Sequence, residues 1–325
     1  MDFQGRAFYN LLRFNSIEDP ASRHYEKWQI EDYRSLSDSQ IFSRLHSSSI
    51  DLDIDSFQHL ASNFDSPEAL SEYLIPDELE AEYSDRVYLC LFELWRRFKK
   101  DCRSLSIFAD ELDQWMQVYD GQKEDIDDIV YSYLFELENF LDEEADQGND
   151  PKNVFSIISS YFAHDIENFI YDFVYDLLEK ESLTSASEII DAFLPYVKRT
   201  VWFEFLKLKM FSKQDLEQFP SLTHRFSEKV LELKDVELLL EVLDLLIETS
   251  MADQFLVLFT ESLKFVTTYG MLQEFLIILK EFYESIEDHQ KSVQVELIIR
   301  NLTKKESSKK LLKDDLVFSQ IKSVL

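Results

Sequence analysis

Apolar residues recur along most of this chain at intervals of three and four. Between 125 and 142, Ile126, Ile129, Val130, Tyr133, Leu134, Leu137 and Leu141 form one stripe, the spacing that gathers side chains on one face of an α-helix. Between 165 and 179, Ile166, Phe169, Ile170, Phe173, Val174 and Leu177 do the same, and the segments 235–249, 252–268 and 271–284 keep the period. No stretch alternates apolar and polar residues long enough to predict a strand. The pattern predicts an all-α protein of roughly 16 to 19 helices with short connections.

Helix punctuation agrees. Ser37 with Gln40 reads as a capping box ahead of Ile41-Phe42. Ser66-Pro67-Glu68 and Asp150-Pro151 place a capping side chain before a proline at the first helical position. Gly121, Gly148 and Gly270 each follow a periodic apolar segment, where C-terminal caps belong. In the second half, helix pairs are expected to begin near Asp215, Ala252 and Glu287, a period of roughly 35 to 37 residues typical of helix-pair solenoids. The tetratricopeptide and ankyrin patterns are absent, so the period names no family. The expected architecture is a multi-helix array of solenoid-like stacked pairs, with an irregular helical bundle as the alternative. Pro76 and the polar break Ser182 to Ser187 divide the chain into a short-helix region (1–75), an acidic helical region (76–182) and a repeat-like region with a basic capping tail (183–325). These three can equally be segments of one continuous array.

Composition sharpens the fold class. The chain is 45% hydrophobic with 27 Phe and 15 Tyr, ample material for a core, so disorder is not expected despite the charge. Gly occurs 4 times and Pro 6 times, against about 23 and 16 at average usage. Sheets and phosphate-binding loops rely on glycine, and helices do without it. Cys90 and Cys102 fall twelve apart in one expected helix, about 18 Å along its axis, too far to pair there. Cys90 shares an apolar stripe with Val87, Leu91 and Leu94, where cysteine is normally inert core. Unpaired thiols, a start without a basic and then apolar leader, and apolar runs far below the roughly 20 residues of a membrane span point to a cytoplasmic setting.

Charge is the informative departure. The net charge is −31, which argues against nucleic acid or an anionic membrane as a direct ligand. From Leu105 to Asp191 there are 23 Asp/Glu against 3 Lys/Arg. Asp165, Asp172, Asp176 and Glu179 lie nearly on one helical face, and Glu136, Glu138 and Asp142 (with Glu143 and Glu144) belong to the helix before. Stacked carboxylates repel, so such a face is either a solvated surface or a docking site for a basic protein or peptide, with Trp115, Tyr119, Tyr131 and Tyr175 as aromatic anchors. Two basic patches interrupt the acidity: Arg96, Arg97, Lys99, Lys100 and Arg103 at the end of one helix, and Lys198, Arg199, Lys207, Lys209 and Lys213 around Trp202. The tail adds Lys304, Lys305, Lys309, Lys310, Lys313 and Lys322 and is expected to form a solvated capping helix, with packing against an acidic face of its own chain or a neighbour as the alternative.

Catalytic patterns fail one by one. None of the six histidines has Glu three residues before it, as a ferritin-like di-iron site requires. Asp51-x-Asp53-x-Asp55 opens like a calcium loop, but Ser56 and Ser62 stand where Gly and Glu are needed, so the run is expected to cap the helix carrying Phe57 and Leu60. Class I terpene synthases are similar in being all-α, acidic and aromatic-rich. Their paired metal motifs are not met by Asp172 and Asp176 or by Asp125-Ile126-Asp127-Asp128. His164-Asp165 resembles the pair used by helical HD-type phosphohydrolases; His59 is the nearest upstream histidine and Asp191 an arbitrary fourth ligand. Asp165 is expected instead to cap the following helix. The sequence thus points to a non-enzymatic adaptor, scaffold or chaperone without cofactor or metal. An HD-like hydrolase and a nucleic-acid mimic are the alternatives.

Overall fold

The structure, a computed structural model, describes residues 3–20, 25–75, 80–121, 126–214, 217–302, 306–312 and 315–325. Pro76, Asp125, Asp215, Lys304, Lys305 and Lys313 lie outside the described residues. The chain is an all-α, multi-helix array, 75% helical. Among the described residues the single β-type pairing is an isolated antiparallel bridge between Thr268 and Lys310.

The helices are α1 (Ala7–Glu18), α2 (Lys27–Ile30), α3 (Asp38–Ser47), α4 (Ile54–Ala61), α5 (Pro67–Leu74), α6 (Ala81–Phe98), α7 (Leu105–Asp120), α8 (Asp127–Asp146), α9 (Pro151–Ser159), α10 (Ile166–Glu179), α11 (Leu183–Phe193), α12 (Thr200–Ser212), α13 (Phe219–Leu233), α14 (Val236–Glu248), α15 (Ala252–Ser262), α16 (Tyr269–Ser285), α17 (His289–Leu302) and α18 (Leu316–Val324). The predicted caps are in place. Ser37 and Gln40 form the capping box of α3, Ser66 caps α5 with Pro67 in the first turn, and Asp150 caps α9 with Pro151 following. Asp53 caps α4, its carboxylate accepting from the Ser56 N–H at 2.9 Å, so the Asp51–Asp55 run is a helix start.

Three local expectations change. The 252–268 segment is helical only to Ser262, after which Leu263–Phe265 tightens into a 3-10 turn. Cys102 lies beyond the end of α6 in the turn leading to α7, not in one helix with Cys90. Gly270 sits in the first turn of α16 rather than at a C-terminus. A Cβ there would come 3.2 Å from the Ser307 carbonyl, and that carbonyl accepts the Gly270 N–H at 2.9 Å, while Lys309 O accepts from Tyr269. The tail is therefore docked through its backbone while Lys309, Lys310 and Lys322 stay exposed: its carbonyls satisfy N–H groups that a helix start leaves without intrahelical partners. Leu311, Val317, Ile321 and Val324 are buried.

The chain forms two compact units. The first comprises Met1–Phe173 and Asp191–Lys198, the second Val174–Ile190 and Arg199–Leu325. In the first unit α6 is central. From Val87 to Trp95 every residue but Tyr88 is buried, as expected for a helix that is apolar nearly all round. It packs on α3 and α5, while α1 packs on α7, α7 on α8 and α8 on α9. In the second unit chain neighbours from α12 to α18 pack in succession; α12, α14 and α16 also touch side by side, as do α13 and α15. Leu238, Leu239, Val242 and Leu243 of α14 and Phe255 and Phe259 of α15 are wholly buried, filling the space between those two rows.

Candidate functional site

The second unit gathers carboxylates from three helices around one lysine. Glu237, Glu241, Asp244 and Glu248 fall at i, i+4, i+7 and i+11 of α14, one face of that helix. Lys209 of α12 is buried, with its ammonium 3.0 Å from Glu248 and 3.2 Å from Glu179 at the end of α10. The same ammonium lies 4.6 Å from the centre of the Tyr175 ring, a cation–π contact. Burial alone would favour the neutral amine, but the Glu248 hydrogen bonds and the neighbouring charges hold the Lys209 pKa above its ordinary value.

The carboxylates feel the opposite pressure. Burial, then Asp244, pushes Glu241 up; burial, then Glu248, pushes Asp244 up; and burial, then Asp244, pushes Glu281 of α16 up. Lys209 offsets only part of this for the first two. Among the described residues Glu241, Asp244 and Glu281 make no ion pair within 4 Å. Like charges held side by side, Glu241 and Asp244 half-buried and Glu281 exposed beside them, stand as a cost in the free protein.

The residues singled out in the sequence take varied positions. Asp165, Asp172, Asp176 and Glu179 are all exposed. Asp165 caps α10 by accepting from the Asn168 N–H at 3.2 Å, Glu179 serves Lys209 and lies 3.9 Å from Lys213, and Asp172 and Asp176 each have partners of their own. In the first unit, Glu136 pairs with Arg103, Asp142 accepts from the Tyr196 hydroxyl, and Glu138 is pushed up by burial and then by Asp142. Tyr119 packs edge-on against Phe169 and Phe173, and Trp115 leans on Tyr133 with ring centres 6.4 Å apart. Tyr131 is half-buried and has a partner. Tyr175 is the aromatic that meets the lysine. The α14 stripe is a signal the sequence carries at helical spacing; Glu281 carries no sequence signal tying it to Asp244.

Much of the two basic patches is taken up in ion pairs and cation–π contacts. Arg96 and Arg97 both donate to Glu93, a buried residue of α6, and Arg199 stacks over Trp202 with its guanidinium 5.0 Å from the ring centre. Glu93 opens a second site, a buried polar network in the first unit. Arg6 lies 3.9 Å from Glu93 and 3.6 Å from Asp110, and Arg34 also reaches Asp110. Burial raises the Asp110 carboxyl pKa, but the Arg6 and Arg34 charges outweigh it and hold the group below its ordinary value. Asp113, fully buried, accepts from the backbone of Ala163 and His164, from His164 Nδ1 at 3.0 Å and from Asn10 at 3.3 Å. Burial nonetheless pushes its pKa up. The His164 ring nitrogen is therefore committed to a carboxylate that ties the α9–α10 connection to α7. Among the described residues no group of three His, Cys, Asp or Glu is arranged to hold a metal ion. The sequence clue to this network is a glutamate inside the apolar run Leu89–Trp95.

A third feature is an open crevice of about 470 Å³ in the first unit, lined by Trp28, Glu31, Tyr33, Arg44, Arg86 and Cys90 among others. Two of its charges are matched: Arg44 forks onto Glu31 at 2.7 and 2.8 Å, and Arg86 meets Glu82 at 2.8 Å. Burial pushes the Cys90 thiol at its floor up to about 12, which removes it as a nucleophile.

No family model, curated protein or solved structure matches this chain. Among the described residues no helix is long and apolar enough to cross a membrane.

Proposed function

We propose that this chain is a non-enzymatic interaction protein of adaptor, scaffold or chaperone type, and that the carboxylate face of its second unit docks a basic segment of a partner protein. The observation that carries this reading is the trio Glu241, Asp244 and Glu281: half-buried or rim-exposed, raised in pKa, and without an ion pair of their own. A lysine or arginine delivered by a partner relieves that repulsion, and the surrounding field speeds its arrival. Glu248 and Glu179, already turned toward Lys209, frame the face, and Tyr175 supplies an apolar edge.

The test uses a fluorescent Lys/Arg-rich peptide titrated against the full chain at low and high salt. The triple variant Glu241→Gln, Asp244→Asn, Glu281→Gln should bind more weakly, mainly through a slower on-rate, and lose much of the salt dependence. A control triple, Glu228→Gln, Glu232→Gln, Asp253→Asn, removes the same charge from exposed positions elsewhere in the second unit. Equal losses in both triples would reduce the effect to bulk charge and end the site-specific reading. Capture from the native cell at two salt concentrations then identifies the partner.

A further inference from the structure

In the first unit, the packing of α1 on α7 carries more hydrogen-bond donors than acceptors. The Arg6 side chain is 3% exposed, yet its Nε and Nη1 have no hydrogen-bond partner in the protein. Its nearest carboxylate oxygens stand at 3.6 and 3.9 Å, beyond hydrogen-bond reach. Arg13 Nη1, Arg34 Nε and Gln114 Nε2 are likewise buried donors without a hydrogen bond in the protein, Arg13 Nη1 standing 3.4 Å from Asp32. Arg6, Asn10 and Arg13 follow one another at i, i+4 and i+7, and on α7 Gln114 stands one turn after Asp110. The Arg6 and Asn10 contacts to Asp110 bring the two faces together, and Arg34 joins at the same carboxylate.

The nearby acceptors are already in use. Asp110 takes Asn10 and Arg34, and Asp113 takes Ala163, His164 and Asn10. Three guanidinium groups also stand close enough to repel. Burial lowers the Arg13 pKa, Arg6 and Arg34 lower it further, and Asp32 and Asp110 offset only part. Arg6, Arg13 and Arg34 share Asp32, Asp110 and Glu93, and Glu93 is also held by Arg96 and Arg97. Buried charged donors without acceptors are expensive.

We propose that these donors hold a small oxyanion of the phosphate or carboxylate kind. Water is the poorer occupant, because each molecule brings two protons that need acceptors where acceptors are short, whereas an oxyanion only accepts. Guanidinium forks match the geometry of oxyanions. Arg13 and Arg34 are 19% and 21% exposed, and they open the cluster to solvent.

The experiment titrates inorganic phosphate, and separately acetate, into the full chain at constant ionic strength set with chloride. Binding is read by calorimetry and by the melting temperature of the parent. The expected result is saturable binding with a rise in melting temperature that levels off, unlike the unsaturating effect of phosphate as an excluded salt. Arg13→Gln should weaken binding at least tenfold, Arg13→Lys should retain part of it, and Arg300→Gln, at a residue 72% exposed, should change nothing. Preference for acetate over phosphate would assign the occupant as a carboxylate. Absence of saturable binding by either ion would overturn the proposal and leave the donors hydrated, as would unchanged affinity in Arg13→Gln. Should Arg13→Gln fail to fold, Arg34→Lys and Arg13→Lys carry the same comparison.

Discussion

Replacing Glu93 with glutamine isolates the contribution of the buried network in the first unit. The side chain is 0% exposed and accepts three hydrogen bonds, from Arg96 Nε at 3.0 Å, Arg96 Nη2 at 2.6 Å and Arg97 Nε at 2.6 Å. Glutamine keeps the shape but offers one acceptor oxygen, and its amide N–H groups then face guanidinium donors. Arg96 and Arg97, about a quarter and a fifth exposed, can recover water; Arg6 cannot. Removing one partner of a buried ion pair costs about 3–5 kcal/mol, because the other charge is left uncompensated. For a unit of this size that corresponds to a fall of roughly 6–20 °C in melting temperature at about 2–4 °C per kcal/mol. The assay is calorimetry with urea unfolding, comparing midpoints at an unchanged slope. Glu296→Gln is the internal control. It breaks a pair with Arg300 at 2.6 Å whose partners are 72% and 38% exposed, so it should cost at most about 1 kcal/mol. If Glu93→Gln costs no more than that control, the network is solvated and the reasoning from burial fails.

Other expectations follow from the same contacts. In the second unit Glu241 and Asp244 have folded-state pKa values raised above the ordinary carboxylate range, so the folded state binds protons more readily than the unfolded one. Their cost is present at neutral pH and is relieved as pH falls through the folded values. Unfolding at pH 7 and pH 5 should therefore show an acid gain in the parent that is smaller in Glu241→Gln, Asp244→Asn; identical gains in both would contradict it. Cys102 should react with a thiol reagent far faster than Cys90, which is 2% exposed with its thiol raised to about 12, and equal rates in folded protein would refute this. Gly5→Ala should destabilise by roughly 1–3 kcal/mol, since φ is +54° and the new Cβ would stand 2.9 Å from Ser106 Cβ. Adding Ser106→Gly should recover the clash but not the backbone cost, and thermal unfolding of the two variants separates them.

Helices were legible in the sequence because a helix is a local object. Its hydrogen bonds reach four residues, its caps three, and its buried face repeats every 3.6, so the stripe from Ile126 to Leu141, the Ser37–Gln40 box and the Asp150-Pro151 start could all be read directly. Scarce glycine told against sheets for an equally local reason. Burial of Cys90 was legible too, since its stripe fixes its side of α6. Charge partners were not. Lys209 reads as one of a basic patch because it shares α12 with Lys207 and an otherwise largely apolar, buried run from Phe203 to Met210, and nothing along it marks which side meets Glu248. Glu93 lies within local reach of Arg96 and Arg97, three and four residues before them, but that Arg6 also reaches it depends on a segment far away in the chain. Asp244 and Glu281 became neighbours only because α14 packs on α16, and Gly270 was needed only because the segment ending at Lys310 passes over the start of α16. Periodicity assigns a residue to a face of its own helix. Which charge that face meets depends on helix packing between segments far apart in the chain, and no local spacing records it.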